Sequence, residues 1–348
     1  MGKPIERQDI TIQALMTEYL KDAAPTLRPK TIHSYTQLSR LHIVPHLGHI
    51  KVSKLDARTV GQWQRMLLES GLSGQTVNLA RACLSRALDM AMRFDYIGRN
   101  VVILAKAPTV VHRQMAPLGR ADAQAILALF DGTRFETVVS LIIGCGLRIG
   151  EVLGLTWGDI DAQNQRLTVA HQLGRTKGNT GAFILSSPKT QKGFRAVALP
   201  EFVLEALQHQ KIAQLEALRF CTEAGAVWGN EWGLVFTTGT GHPLAYRNVM
   251  RTIQDTVQRS DLEMHITPHV LRHLHASLLV AQGINMKVVS TSLGHSQINL
   301  TMDRYAHLVP DIESGAAGAM QSAMKSPLAD AVKKPVAVKL QSKANERG

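Results

Sequence analysis

Apolar residues recur at helical spacing through the first hundred positions of the chain. They fall every three or four residues, first at Ile12, Leu15, Met16, Tyr19 and Leu20 and later at Val60, Trp63, Met66 and Leu67. This period places apolar side chains on one face of an α-helix. We therefore expect residues 11–105 to form a small helical domain, preceded by a short N-terminal extension at residues 1–10.

The pattern changes across a segment that contains Pro108 and Pro117 and has weak periodicity. This segment predicts a linker at residues 106–118. A second domain, residues 119–310, begins with helices at about 121–130, 134–144 and 147–154. Alternating apolar positions then predict strands near Leu167, Ile184 and Val197, which we expect to pair in one three-stranded sheet. Further helices are predicted at 201–218, 244–258, 268–281, 285–293 and 300–307. The fold class is mainly α with a small antiparallel β-sheet, and residues 311–348 read as a basic, flexible tail.

The net charge of the chain indicates the kind of partner that the protein binds. The chain of 348 residues has a formal net charge of +12, and residues 1–116 hold 16 Lys and Arg against 8 Asp and Glu. A basic domain of this kind indicates a polyanionic partner, with nucleic acid ahead of a membrane surface. No apolar run approaches the roughly 20 residues that span a bilayer, and the three cysteines have no paired spacing. We expect a cytoplasmic protein without disulfides.

Two segments combine a predicted helix start with a cation. In the run CGLRIGE at positions 145–151, the glycines indicate a tight turn that presents Arg148 at a helix N-terminus, where it could bind a phosphate or simply cap the helix and pair with Glu151. In TPHVLRH at positions 267–273, a threonine cap and a proline at the first helical position place His269 and Arg272 on one helix face. That face could be catalytic or simply solvated.

Three more residues carry possible chemistry. Lys189 lies between two predicted strands and is expected on a hairpin, His295 follows a glycine that ends a helix, and Tyr305 lies ten residues further on. Taken singly, each has a bland explanation: an exposed turn lysine, a post-helical histidine or a buried tyrosine. The histidines at 42, 46 and 49 and at 269, 273 and 275 lack nearby acids or cysteines at zinc spacing, so we expect structural or DNA-facing roles rather than a metal.

Taken together and in order, these motifs resemble the tyrosine recombinase family, also called phage integrases. The resemblance covers about residues 11–310, and its motifs are GLRIGE, PKT, HVLRH, LGH and the tyrosine. It implies that residues 11–105 are a core-site DNA-binding domain and that residues 119–310 are the catalytic domain. It also implies a site composed of Arg148, Lys189, His269, Arg272, His295 and the nucleophile Tyr305, with Glu151 in support.

The resemblance further implies cleavage and rejoining of DNA strands through a 3′-phosphotyrosyl intermediate, with no cofactor and no metal. The expected partners are double-stranded recombination sites, three further copies of the chain in a homotetramer, and accessory DNA-bending or directionality proteins. The expected location is the nucleoid of a prokaryotic cell. Val270 departs from the family at a position where an acid is frequent, and residues 174–181 lengthen a loop. Because ten residues precede Thr11, we expect no arm-site-binding domain of the kind that some members of the family carry.

Two other functions fit parts of this pattern. A type IB topoisomerase uses similar chemistry to relax DNA, and a non-catalytic DNA-binding regulator could keep the same fold. The small helical domain favours recombination over relaxation, and retention of the reactive groups argues against a regulator.

Overall fold

The computed structural model of the chain describes residues 10–110, 118–176, 181–188, 193–262 and 264–294. The chain divides into two compact units: Met1–Ala116 with Gln172–Ser186, and Pro117–His171 with Ser187–Gly348. None of the helices in the described ranges is both long and apolar enough to cross a membrane.

Residues 10–110 of the first unit form a helical bundle, as the apolar spacing predicted. Its helices are α1 (Ile12–Ala23), α2 (Pro29–Leu38), α3 (Val44–Leu47), α4 (Ala57–Glu69) and α5 (Gly74–Arg93), with a π-helical turn at Ser39–Ile43 and a 3-10 turn at Val52–Lys54. Side-chain caps start three of them, because Thr11, Asp56 and Ser73 each accept a hydrogen bond from a backbone N–H of the first turn. The apolar faces meet in one core that includes Leu15, Met16, Trp63, Leu84 and Leu88.

The irregular segment 102–110, which includes the first five residues of the predicted linker, lies against α5. Asn78 Nδ2 donates to the Pro108 carbonyl at 3.0 Å, and Arg81 Nη2 donates to the carbonyls of Val102 and Ala105 at 2.8 and 3.0 Å. These bonds satisfy three carbonyls of an irregular segment and hold that segment against α5. The remainder of the predicted linker, 111–117, is outside the described residues.

The second unit is built around α7, which is apolar on all sides. Its helices are α6 (Arg120–Phe130), α7 (Glu136–Cys145), α8 (Ile149–Leu153), α9 (Glu201–Glu223), α10 (Tyr246–Gln258), α11 (Pro268–Ala281) and α12 (Met286–Ser292). Helix α7 packs against both α9 and α11, and Val138, Leu141 and Ile142 on it are completely buried. A helix hydrophobic all round belongs in the centre of a domain, which explains this placement.

The strands form two small sheets rather than the single sheet that we predicted. β1 (Ile160–Asp161), β2 (Arg166–Val169) and β5 (Arg195–Ala198) make an antiparallel sheet in the order β1-β2-β5, with Leu167 opposite Val197. β3 (Gln172–Arg175) and β4 (Phe183–Ser186) pair with each other in a separate hairpin, in which Gly174 lies opposite Ile184.

The prediction that residues 183–185 share a sheet with 167–169 and 197–199 is therefore wrong. β3 is short and half-buried and contains a glycine, so its sequence lacks the alternation by which strands are recognised. β4 pairs with β3, the strand that precedes it along the chain. Gly174 and Arg175, predicted as the start of a lengthened loop, belong to β3. The predicted helix at 300–307 and the tail at 311–348 lie outside the described residues.

Candidate active site

Arg148 is presented by the tight turn that its flanking glycines predicted. Helix α7 ends at Cys145, and Gly146 adopts φ +63°, the left-handed conformation that favours glycine. Arg148 is the residue immediately before α8 and has extended backbone angles. Its side chain is 39% exposed, so the guanidinium is both held by the protein and open to solvent.

Glu151 binds Arg148 from the first turn of α8. Its Oε2 accepts from the Arg148 backbone N–H at 2.9 Å, and its Oε1 accepts from Arg148 Nη1 at 2.8 Å. Burial by itself would raise the pKa of Glu151, but hydrogen bonds and charges from Arg195 and Arg148 outweigh burial and lower the pKa below its usual value. Glu151 is therefore a carboxylate at neutral pH, and it fixes the orientation of Arg148.

Arg272 lies on α11, which starts where its cap predicted. The Thr267 hydroxyl accepts from the Val270 N–H at 3.2 Å, and Pro268 occupies the first turn. Arg272 is 4% exposed and donates through Nη1 to the Gly146 carbonyl and through Nη2 to the Leu293 carbonyl. His269, one turn earlier on the same helix, is exposed.

Three consecutive carbonyls at the end of α12 accept hydrogen bonds from three different arginines. Ser292 O accepts from Arg195 Nε at 2.7 Å, Leu293 O accepts from Arg272, and Gly294 O accepts from Arg148 Nη2 at 3.1 Å. Exposed carbonyls at a helix C-terminus carry partial negative charge and attract cations. This cluster, the α12 arginine cluster, brings Arg148 and Arg272 together immediately before position 295.

Arg195 is the member of the cluster that sequence reasoning missed. It lies at an inward position of β5, whose residues alternate between buried and exposed, and it is 8% exposed. An arginine in register with the buried Val197 of a short strand was the available signal, since buried arginines need a partner. That partner is Glu151, to which Arg195 donates through both Nη1 and Nη2 at 3.3 and 3.0 Å.

Three predicted site residues, Lys189, His295 and Tyr305, lie outside the described residues. The expectation that Lys189 is on a hairpin between two paired strands is wrong for the strands themselves, because β4 and β5 belong to different sheets. The described ends of that segment are close together: a Cβ added to Gly193 would lie 2.5 Å from Pro188 Cβ.

His275, one of the histidines considered for metal binding, is a buried structural residue. Its Nδ1 lies 2.8 Å from the Ile143 carbonyl, which requires a proton on that nitrogen. Burial, with further contributions from the charges of Arg272 and Arg195, lowers the pKa of His275 to about 4. The ring is neutral at physiological pH and packs against Gly146, where an added Cβ would lie 2.6 Å from its Cδ2.

The described part of the site has an excess of positive charge. Arg148 and Arg195 bind the carboxylate of Glu151, Arg272 joins them at the end of α12, and the least buried of the three arginine side chains is that of Arg148. Guanidinium groups bind phosphate oxygens in a fork and stay charged at any working pH. The arrangement is suited to holding a phosphodiester anion.

Comparison with family models assigns this architecture. Residues 11–68 match the phage integrase N-terminal SAM-like domain, and residues 118–311 match the phage integrase family. Because the second match covers more than half of the chain, the chain belongs to the phage integrase family. The chain is therefore a tyrosine recombinase, a site-specific DNA recombinase. This assignment favours recombination over the topoisomerase alternative.

Individual proteins agree with this assignment. The chain is 27% identical over 331 residues to a tyrosine recombinase XerC-like protein of Caldanaerobacter subterraneus subsp. tengcongensis, covering 90% of this chain and 84% of the relative. It shares the fold of the Tn1549 transposon integrase in complex with a circular intermediate DNA (TM-score 0.74, 23% identity, 90% of this chain and 99% of that one). It also shares the fold of a lambda integrase tetramer bound to a Holliday junction (TM-score 0.59, 19% identity, 83% and 78%).

Proposed function

We propose that this recombinase cuts one DNA strand at a time by attack of Tyr305 on a backbone phosphate, forming a 3′-phosphotyrosyl link and a free 5′ hydroxyl. The observation that carries the proposal is the α12 arginine cluster, which brings Arg148 and Arg272 together one residue before His295. The order of these residues in the sequence, ending in Tyr305, supports the same site.

The proposed site uses its cations in two roles, phosphate binding by arginines and proton donation by a lysine. Arg148 and Arg272 bind the non-bridging oxygens, whose charge concentrates when phosphorus becomes five-coordinate, and each such donor is worth roughly a hundredfold in rate or more. Lys189 protonates the departing 5′ oxygen, which is otherwise a poor leaving group. A lysine suits this task because its proton can be released, whereas an arginine does not deprotonate.

The remaining residues move or hold protons. His269, exposed on the first turn of α11, accepts the Tyr305 proton and returns it during religation. His295 donates to a phosphate oxygen. Glu151 orients Arg148 through the two hydrogen bonds described above.

Because the phosphotyrosyl link retains the energy of the phosphoester, a 5′ hydroxyl of a second duplex can reverse the step with no ATP and no metal. Exchange between two duplexes cuts four strands, so we propose a homotetramer on DNA, as in the lambda integrase tetramer bound to a Holliday junction. In this proposal residues 11–105 bind the core site and residues 119–310 carry the chemistry. The place of action is the nucleoid of a prokaryotic cell, with accessory DNA-bending or directionality proteins setting the direction of recombination.

The test is capture of the covalent intermediate. Duplexes that the chain retains from a random-sequence pool are identified, resynthesised with a nick beside each candidate phosphate, and incubated with the protein. Denaturing electrophoresis should then show protein-linked DNA for the wild type and none for Tyr305→Phe. The control is Tyr246→Phe, an exposed tyrosine at the start of α10. An equal yield of linked DNA from Tyr305→Phe would remove this residue as the nucleophile.

A further inference from the structure

Arg195 is a buried arginine that binds Glu151, the partner of the candidate catalytic residue Arg148. Its side chain is 6% exposed and that of Glu151 is 5% exposed, so the pair is withdrawn from water. A buried ion pair costs desolvation energy and is weak evidence for stability, since apolar side chains of similar volume often fold as well. Its presence here therefore needs a reason other than folding.

The geometry at Glu151 supplies that reason. Each carboxylate oxygen accepts one hydrogen bond from Arg148 and one from Arg195: Oε1 from the two Nη1 atoms, and Oε2 from the Arg148 backbone N–H and Arg195 Nη2. Glu151 thus bridges the two arginines: the buried Arg195 fixes the carboxylate, and the carboxylate fixes the more exposed Arg148. Without the two Arg195 donors, the carboxylate would lose half of its hydrogen-bond partners and part of the stabilisation of its ionised form.

Two further bonds tie the same guanidinium to the backbone around the site. Nε donates to Ser292 O at 2.7 Å, and Nη1 donates to Gly193 O at 3.2 Å. Ser292 begins the three carbonyls that precede His295, and Gly193 ends the segment that contains Lys189. Arg195 therefore binds the partner of Arg148 and also two backbone carbonyls that lie, in the sequence, three residues before His295 and four residues after Lys189.

We propose that Arg195 is a positioning residue for strand cleavage, which acts by holding the Glu151 carboxylate against Arg148. The inference rests on the proposed function. In this proposal Arg195 acts through Glu151 rather than on the phosphate, because all three of its guanidinium nitrogens, Nε, Nη1 and Nη2, donate to protein acceptors in Ser292, Gly193 and Glu151. Arg148, at 39% exposed, is the more accessible of the two arginines that bind Glu151.

The test compares cleavage rate with the fraction of active protein. Wild type, Arg195→Lys and the control Arg166→Lys react in single turnover, at saturating protein, with the nicked duplex identified for the covalent-intermediate test. Arg166 is an exposed arginine on β2, the strand paired with β5. Lysine keeps the charge but not the fork, so we expect Arg195→Lys to cleave up to roughly a hundredfold more slowly at unchanged DNA affinity. Arg166→Lys should match the wild type.

Two outcomes would overturn the inference. A purely structural role predicts a smaller reaction amplitude, from less folded protein, with the wild-type rate constant in the fraction that reacts. In the second outcome, adding Arg195→Lys to the Arg148→Lys variant slows cleavage by the same factor as Arg195→Lys does in the wild-type protein. We expect instead that the double variant is close to Arg148→Lys, because residues acting through one another are not additive.

A second variant pair keeps the test decisive if Arg195→Lys does not fold. Glu151→Gln/Arg195→Gln removes both charges of the buried pair, and it should cleave no more slowly than Glu151→Gln. A further loss of rate in the double variant would contradict action through Glu151. Failure of the proposed function is recognised separately, as the absence of a Tyr305-dependent covalent product from the wild-type chain.

Discussion

The two units of this recombinase bury different kinds of polar group. In the described part of the helical unit the buried polar side chains are neutral: Ser39, Gln64 and Asn100. In the second unit the buried set includes three ionised side chains, Glu151, Arg195 and Arg272, and the titratable His275. Among the described residues, the buried charged side chains therefore belong to the second unit.

The roles proposed for the two units would account for this difference. An apolar core is enough to fold a small bundle, and cations left on its surface can meet any phosphate by long-range attraction. A catalytic phosphate must instead be held in one geometry, which demands guanidiniums whose own positions are fixed by buried partners. Buried charge in this chain therefore marks the site more clearly than overall charge does.

The largest expected effect comes from the cations that the second unit fixes in place. Arg148→Lys and Arg272→Lys should each slow strand cleavage by roughly a hundredfold to a thousandfold, because lysine cannot form the forked pair of bonds to phosphate oxygens. Single-turnover cleavage of the same nicked duplex measures this. A rate reduction of less than about threefold in both variants would mean that these arginines do not bind the reacting phosphate.

A matched pair of glycines compares packing in the two units. Gly146 has φ +63° and a Cβ there would meet His275, whereas Gly71 has φ +89° with nothing within 4 Å of an added Cβ. Gly146→Ala should therefore cost about 3 kcal/mol, from backbone strain plus overpacking, and Gly71→Ala about 1 kcal/mol, from strain alone. Thermal or urea unfolding measures both. Equal losses of stability would show that the surroundings of Gly146 can relax.

Acid should weaken the second unit before the first. The pKa of His275 is lowered from 6.5 to about 4, so between these values the unfolded chain takes up a proton that the folded chain excludes. Stability from this residue is complete above about pH 6.5 and falls as the pH drops to about 4, by about 3 kcal/mol in all.

Hydrogen exchange, corrected for intrinsic rates, can follow this loss of stability by region. Amides of α7 and α11 should lose protection over that pH window more than amides of α1 and α5. His275→Gln should flatten the slope, and His265→Gln, at an exposed position, is its control. An unchanged slope in His275→Gln would assign the acid sensitivity to another group.

The smallest effect is expected on the surface of the helical unit. Lys30 and Arg40 are exposed there, and replacing both by Gln should weaken DNA binding several-fold. The salt dependence of binding should also become shallower, by up to about 0.9 in slope for each phosphate that is no longer neutralised. The cleavage rate at saturating protein should not change. A reduced rate with unchanged affinity would contradict the division of roles between the two units.

The sequence predicted the parts of the fold and site that local patterns encode. Helix positions followed from apolar spacing, and the start of α11 followed from Thr267 and Pro268, because caps act within one turn. The tight turn before Arg148 followed from its glycines, and the structure shows Gly146 there in the left-handed conformation. The order of motifs along the chain was enough to identify the family and to nominate Tyr305.

Tertiary structure decided what depends on distant partners. Whether β4 pairs with β3 or with β5 is a competition between segments, and alternation within one segment does not reveal its outcome. The assignments of Arg195 to Glu151 and of His275 to the Ile143 carbonyl join residues 44 and 132 positions apart. Sequence alone determined which reactive groups this chain has. Folding decided which of them share a buried carboxylate or a helix end, because desolvation and hydrogen-bond geometry depend on what surrounds each group in space.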